Sequence, residues 1–161
     1  MFSDIEDSSS LYEKLGDLRA HEVISIHNEI FRQQIVAHKG IEVKALGDSF
    51  MIAFSSARRA ALCAIATQRS IAAYCDGHPD LPFRVRMGLH VGEVINESSD
   101  YFGKAVILAA RIAALAKGGQ ILVSSTFHDL TANAGDLRFT PMGEAPIKGL
   151  AGIHQIFEVA W

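Results

Sequence analysis

Two carboxylates each sit beside an apolar run that reads as a strand: Asp4 in Phe2-Ser3-Asp4-Ile5, and Asp48 in Lys44-Ala45-Leu46-Gly47-Asp48. A carboxylate at a strand end and another in a tight Gly-Asp turn, brought together by folding, make a hard-oxygen site for Mg²⁺ or Mn²⁺. Such a pair suits phosphoryl chemistry on a nucleotide. Taken singly, Asp4 is also a plain strand end and Asp48 a common turn residue, so the weight lies on the pair. Other metal chemistry has little to work with. The seven histidines include no HxxxH or HxxEH pattern, and His90, on an alternating segment, reads as structural. Cys63 and Cys75 fall within or next to one helical stretch with no CxxC, as small buried hydrophobes do.

These residues need elements to carry them. Asp4 ends a strand that only Met1 to Ser3 can precede, so either the strand is clipped or the chain is the C-terminal part of a longer protein. Ser8-Ser9-Ser10 then offers hydroxyl caps to a helix through Leu15. Over residues 18–38, Val23, Ile26, Ile30 and Phe31 recur at three- and four-residue spacing with Glu22, His27, Asn28 and Arg32 between, as in an amphipathic helix. Gly40 ends it. Residues 41–45 and 50–54 flank Gly47-Asp48 as a hairpin whose turn holds the second carboxylate. An Ala-rich helix over 57–74 follows, broken by Gly77 and Pro79. Residues 83–91 alternate strictly between apolar and other side chains, a clear strand. Gly103 and Gly118-Gly119 bound a helix over 105–116, and 120–124 reads as a short buried strand. Residues 137–140 and 153–159 can pair around a turn-prone 141–152 stretch. The series contains a split βαβ arrangement: an α+β, ferredoxin-like α/β sandwich, with a mainly antiparallel sheet and helices against one face.

The bulk numbers are consistent with that. A chain of 161 residues forms one domain, 1–161, with room for one substantial core. At 49% hydrophobic and a formal charge of −3, nothing favours a nucleic-acid partner. No apolar stretch approaches the ~18 residues of a membrane span, and the start lacks the basic-then-apolar layout of a signal peptide. Direct membrane insertion is not expected, and a cytoplasmic domain is.

Placed on these elements, the motifs resemble the catalytic domain of class III nucleotide cyclases, the adenylate and guanylate cyclases, over almost the full length. Phe2-Ser3-Asp4-Ile5-Glu6-Asp7-Ser8-Ser9 resembles that family's first metal segment, and Val43-Lys44-Ala45-Leu46-Gly47-Asp48-Ser49-Phe50-Met51 its second. Arg86-Met87-Gly88-Leu89-His90-Val91-Gly92-Glu93 is similar to its central strand, Asp100-Tyr101-Phe102-Gly103 to its base-reading segment, and Ala109-Ala110-Arg111-Ile112 to the helix beyond. Each segment alone is weak evidence; in this order and spacing they are specific. A dinucleotide cyclase or polymerase palm would want a turn such as Gly-Gly-Asp-Glu-Phe where this chain has Leu-Gly-Asp-Ser-Phe.

The resemblance implies a reaction and a division of labour. Two Mg²⁺ or Mn²⁺ ions bridge Asp4 and Asp48, the Ile5 carbonyl completes one coordination sphere, and backbone amides at Asp7 and Ser8 face the polyphosphate. Lys44 and Asp100 read the base. A lysine donating to ring N1 and a carboxylate accepting from the exocyclic amine match adenine and oppose guanine, so the implied substrate is ATP and the product 3′,5′-cyclic AMP. Arg111 neutralises charge on the α-phosphate, and Lys148 in Ile147-Lys148-Gly149-Leu150 is the second phosphate-binding cation. In the family, metal aspartates come from one subunit and base-reading and arginine residues from the other. This chain carries both sets, which implies a head-to-tail homodimer with two composite sites.

Two positions depart from the pattern. Ile107 stands four residues before Arg111, where the family has an asparagine that positions the ribose; losing one such group typically costs about 10²–10³ in rate. Asp7 stands where many members have glycine in the phosphate-facing turn, and its carboxylate would repel triphosphate unless it points away or meets a metal. A catalytically degenerate cyclase domain, binding nucleotide or acting as a dimerising regulatory module, is therefore the alternative.

Overall fold

A computed structural model describes residues 1–98, 100–149 and 152–161. The chain opens with β1 (Phe2–Ile5), whose Ser3 and Ile5 are buried while Asp4 lies half-buried on the other face. A helical stretch α1 (Ser8–Ala37) follows, broken at Gly16, whose φ of 74° and ψ of 166° leave the helix and separate the two helices that the sequence indicates. The face it buries comprises Leu11, Ala20, Val23, His27, Phe31 and Ile35. His27 is therefore not among the solvent-facing residues where its polarity alone puts it. It stands four residues from both Val23 and Phe31 and shares their face.

The hairpin is β2 (Ile41–Leu46) and β3 (Ser49–Ala53), and α2 (Ala57–Gly77) begins at Ser56, whose Oγ accepts from the Arg59 amide at 3.3 Å. After β4 (Val85–Leu89), a small antiparallel pair, β5 (Ile95–Glu97) and β6 (Asp100–Phe102), leads into α3 (Lys104–Leu115) and β7 (Ile121–Ser124). A further helix, α4 (Ser125–Thr131), starts where the Ser124 hydroxyl accepts from the Phe127 amide. The chain closes with β8 (Phe139–Pro146) and β9 (Ile153–Val159).

Seven strands form one sheet in the order β2-β3-β1-β4-β7-β9-β8. All neighbours are antiparallel except β4 and β7, which are parallel and need the crossover that α3 supplies. The first four strands with α1 and α2 make the βαββαβ unit in spatial order β4-β1-β3-β2, the ferredoxin-like α+β architecture the sequence indicates.

Three features differ from the sequence reading. Helices cover both faces. The main core packs α1, α2 and Phe127 of α4 against Phe50, Ile52, Met87, Ile121 and Val123, whereas Ile112 and Ala116 meet Leu122, Ile147 and Ile156 in a second core on the α3 side. The β8 strand runs on through Pro141 to Pro146. It is an edge strand with a register shift between Pro141 and Gly143, so a residue without an amide proton forfeits no ladder bond on its open side. The turn-prone stretch shrinks accordingly to residues 147–152, of which Leu150 and Ala151 lie outside the described residues. Finally, the β5–β6 pair and α4 are short elements of three and seven residues, below the length at which periodicity speaks. No helix among the described residues is long and apolar enough to cross a membrane.

Candidate active site

The fold brings the two carboxylate segments together. Antiparallel pairing of β1 with β3 lays Ser3 opposite Phe50, so the turn between β2 and β3 reaches the C-terminal end of β1. There Asp48 Oδ2 accepts from the Ile5 amide at 3.1 Å, next to Asp4 in the chain. The carboxylates of Asp4 and Asp48 and the carbonyl of Ile5 are all oxygen donors, and among the described residues no three or more His, Cys, Asp or Glu side chains converge as a metal-holding group. That donor set fits a hard divalent cation and not zinc.

Just beyond, Asp7 caps α1 in the left-handed conformation, with φ 52° and ψ 41°, and makes no side-chain cap bond. Glycine visits this region at no cost and aspartate is among the few other residues that tolerate it, which is a backbone reason for glycine at this position. The Asp7 carbonyl accepts from the Ser10 amide and hydroxyl, both at 2.9 Å, while no backbone hydrogen bond among the described residues uses the amides of Asp7 or Ser8. Those amides are free donors at a helix start, beside the acidic pair. The Asp7 side chain is exposed.

Arg86 is the residue that sequence reasoning missed. Cross-strand register sets it opposite Asp4, and its guanidinium grips that carboxylate through two bonds, Nε to Oδ1 at 2.5 Å and Nη2 to Oδ2 at 3.0 Å. The Asp4 carboxylate holds the Arg86 guanidinium above its ordinary pKa, so its charge is permanent. The signal was present as an arginine on the alternating strand, but only the β1–β4 register says which carboxylate it meets.

The base-reading candidates also meet. Lys44, on the edge strand β2, and Asp100, at the start of β6, join through Nζ and Oδ2 at 2.5 Å. The lysine draws the Asp100 carboxyl below the usual carboxylate range, and its Oδ1 also accepts from the Tyr101 amide at 2.9 Å. A cavity of about 380 Å³, open to solvent, is lined by Met51, His90, Val94, Tyr101, Val106 and Ala109 among others, so the Tyr101 that follows Asp100 forms part of its wall. Its apolar lining and size suit a heteroaromatic ring.

Ile107 and Arg111 lie one helical turn apart on α3, both exposed. Lys148 is exposed in the turn after β8. Among the described residues no ion pair links Arg111 or Lys148 to Asp4 or Asp48. A single chain therefore brings Asp48 to the end of β1 and joins Lys44 to Asp100, and leaves Arg111 and Lys148 exposed.

A family model described as the adenylate and guanylate cyclase catalytic domain matches residues 1–158. An adenylate cyclase of Podospora anserina is 36% identical over 151 residues, covering 79% of this chain and 7% of the relative. An uncharacterised protein of Mycobacterium bovis is 32% identical over 154 residues, covering 93% of this chain and 51% of the relative. The chain thus spans about half or less of the length of these relatives. The crystal structure of the guanylyl cyclase Cya2 superposes with a TM-score of 0.83 at 27% identity, over 99% of this chain and 89% of the other. Matched across nearly its whole length, the chain belongs to the adenylate and guanylate cyclase catalytic domain family.

Proposed function

We propose that this chain is an adenylate cyclase domain that converts ATP to 3′,5′-cyclic AMP and pyrophosphate at the interface of a head-to-tail homodimer. The observation that carries the choice of ATP is the pairing of Lys44 with Asp100 at 2.5 Å. The pair sets an N–H donor beside a carboxylate acceptor, complementary to adenine N1 and its amino group, whereas guanine presents a donor at N1 and an acceptor at O6.

In this reading Asp4, whose oxygens the Arg86 guanidinium would share or release, Asp48 and the Ile5 carbonyl would hold two divalent cations, which would supply the positive charge that eases ionisation of the ribose 3′-hydroxyl and offsets the charge leaving with pyrophosphate. The free amides of Asp7 and Ser8 receive the polyphosphate, and Arg86, beside Asp4, adds a fixed cation on the same side. From the second copy, Lys44 and Asp100 orient the adenine, and Arg111 and Lys148 reach the phosphates. The 3′-oxygen bonds to the α-phosphorus as the bond to the β-bridging oxygen breaks. The hydroxyl proton passes to solvent, and pyrophosphate departs with the bonding electron pair.

Purified protein incubated with Mn²⁺ and either ATP or GTP tests this directly, with cyclic nucleotide measured at a protein concentration where a sizing column shows a dimer. Cyclic AMP is expected in excess, and exchanging Lys44→Glu with Asp100→Cys should move preference toward GTP. A double variant that keeps its ATP preference would refute the base-reading assignment. Ile107 supports a second reading, because an exposed isoleucine, 47% accessible, stands where a ribose-positioning side chain is needed. A verified dimer that binds ATP yet forms no cyclic AMP would identify a nucleotide-binding regulatory module.

A further inference from the structure

The turn that carries Asp48 is held from behind by two side chains to which the reaction gives no part. Asn28 Nδ2 donates to the Gly47 carbonyl at 3.2 Å, and Asn28 Oδ1 lies 2.9 Å from His27 Nδ1. His27 is fully buried, its ring centroid 4.6 Å from that of Phe31, 5.8 Å from Phe50 and 6.1 Å from Phe83, and its Nε2 has no hydrogen-bond partner among the described residues. Burial holds this imidazole neutral, its pKa lowered to about 4. Because the Asn28 amide must direct its NH₂ at the Gly47 carbonyl, its oxygen is left toward the ring, and His27 Nδ1 carries the proton and donates. The amide plane is thereby fixed at both ends.

The turn has little else to fix it. Leu46 and Gly47 are exposed, Gly47 has a φ of +62°, and a Cβ built there would meet nothing within 4 Å. Apart from the β2–β3 ladder, two polar anchors among the described residues set its position: the Asp48 carboxylate on the Ile5 amide, and the Gly47 carbonyl on Asn28. The first ties Asp48 to β1. The second ties the preceding peptide to α1, which itself begins beside Asp7. A carboxylate on a loose turn must be ordered when a cation arrives, and that cost is subtracted from affinity.

We infer that Asn28, oriented by buried His27, is a positioning residue that presets Asp48 for the divalent cation it shares with Asp4. The inference rests on the metal-site reading above.

The test uses the full chain with Mn²⁺ alone, bound ion being followed by electron paramagnetic resonance, and amide hydrogen exchange of residues 45–50 in the metal-free protein. Asn28→Leu keeps the side chain's shape and removes both hydrogen bonds. It should speed exchange at the turn several-fold and weaken Mn²⁺ binding about fivefold, the equivalent of one net hydrogen bond. His27→Leu should weaken Mn²⁺ binding in the same direction while raising the thermal midpoint, since it removes a buried unpartnered nitrogen; a merely structural role would move both downward together. Mn²⁺ affinity within twofold of wild type in a folded Asn28→Leu protein overturns the inference, whatever the exchange rate shows. So does unchanged exchange at the turn. Failure of the wild-type protein itself to bind Mn²⁺ overturns the metal-site reading, a result seen before any variant is made.

Discussion

In the proposed reaction Ile107 stands where the family pattern has a ribose-positioning asparagine. Its exposed side chain sits one turn from Arg111 and offers no hydrogen bond to a ribose. Ile107→Asn should raise kcat for cyclic AMP formation by about 10²-fold, the usual worth of one oriented polar group at a transition state. An unchanged rate would show that this position does not face the sugar. His27 leads to a prediction about stability. Its folded pKa of about 4 lies below the ordinary 6.5, so between those values the unfolded chain binds more protons and stability falls as pH drops. The loss amounts to about 2–3 kcal/mol by pH 4.5. Urea unfolding at pH 7 and pH 4.5 should show that share of the acid-side loss in wild type and not in His27→Leu; equal losses would place the imidazole in contact with water. Asp4 and Asp48 were legible in the sequence as members of two ordered motifs. Arg86 was not, because a strand arginine has no assigned partner until the register is known.

At the scale of elements, the approach of α3 to the sheet decides where Ile107 and Arg111 stand. Gly88 makes that approach possible: a Cβ there would lie 2.1 Å from the Ala113 nitrogen and 2.7 Å from the Ala109 carbonyl oxygen. Both are backbone atoms, so the helix as a whole must move. Gly88→Ala is expected to destabilise by about 1–3 kcal/mol, the range for overpacking, and to lower activity further than the stability loss accounts for. Urea denaturation and specific activity at a temperature where the variant is folded measure the two effects. A loss under about 0.5 kcal/mol would mean that α3 does not rest on β4 in this way. The long helices, the hairpin and the alternating strand were readable, since each spans several periods of its pattern. The β8 strand was not, because two prolines argue against a strand except at an edge, and edge position is a property of the assembled sheet.

For the whole molecule, the proposal makes activity a property of two copies. One chain leaves Arg111 and Lys148 without an ion pair to Asp4 or Asp48 among the described residues. Asp48→Ala and Arg111→Ala proteins should each be inactive alone, yet recover activity when mixed. Random pairing makes half the dimers mixed, and each mixed dimer has one intact site of two, so recovery should approach about a quarter of wild type. No recovery in a mixture shown to exchange subunits would place both residues in one chain's site.

The order of motifs along the chain, with the periods of the elements between them, was enough to determine the ferredoxin-like class and the family, because local pattern and turn chemistry are written in consecutive residues. Partnership was left to the tertiary structure. Strand register set Arg86 on Asp4, helix packing buried His27 and aimed Asn28 at the Gly47 carbonyl, and a six-strand-long path of pairing made β8 an edge. Contacts between residues tens of positions apart follow from which faces can be buried together, and that is settled only when the whole chain packs.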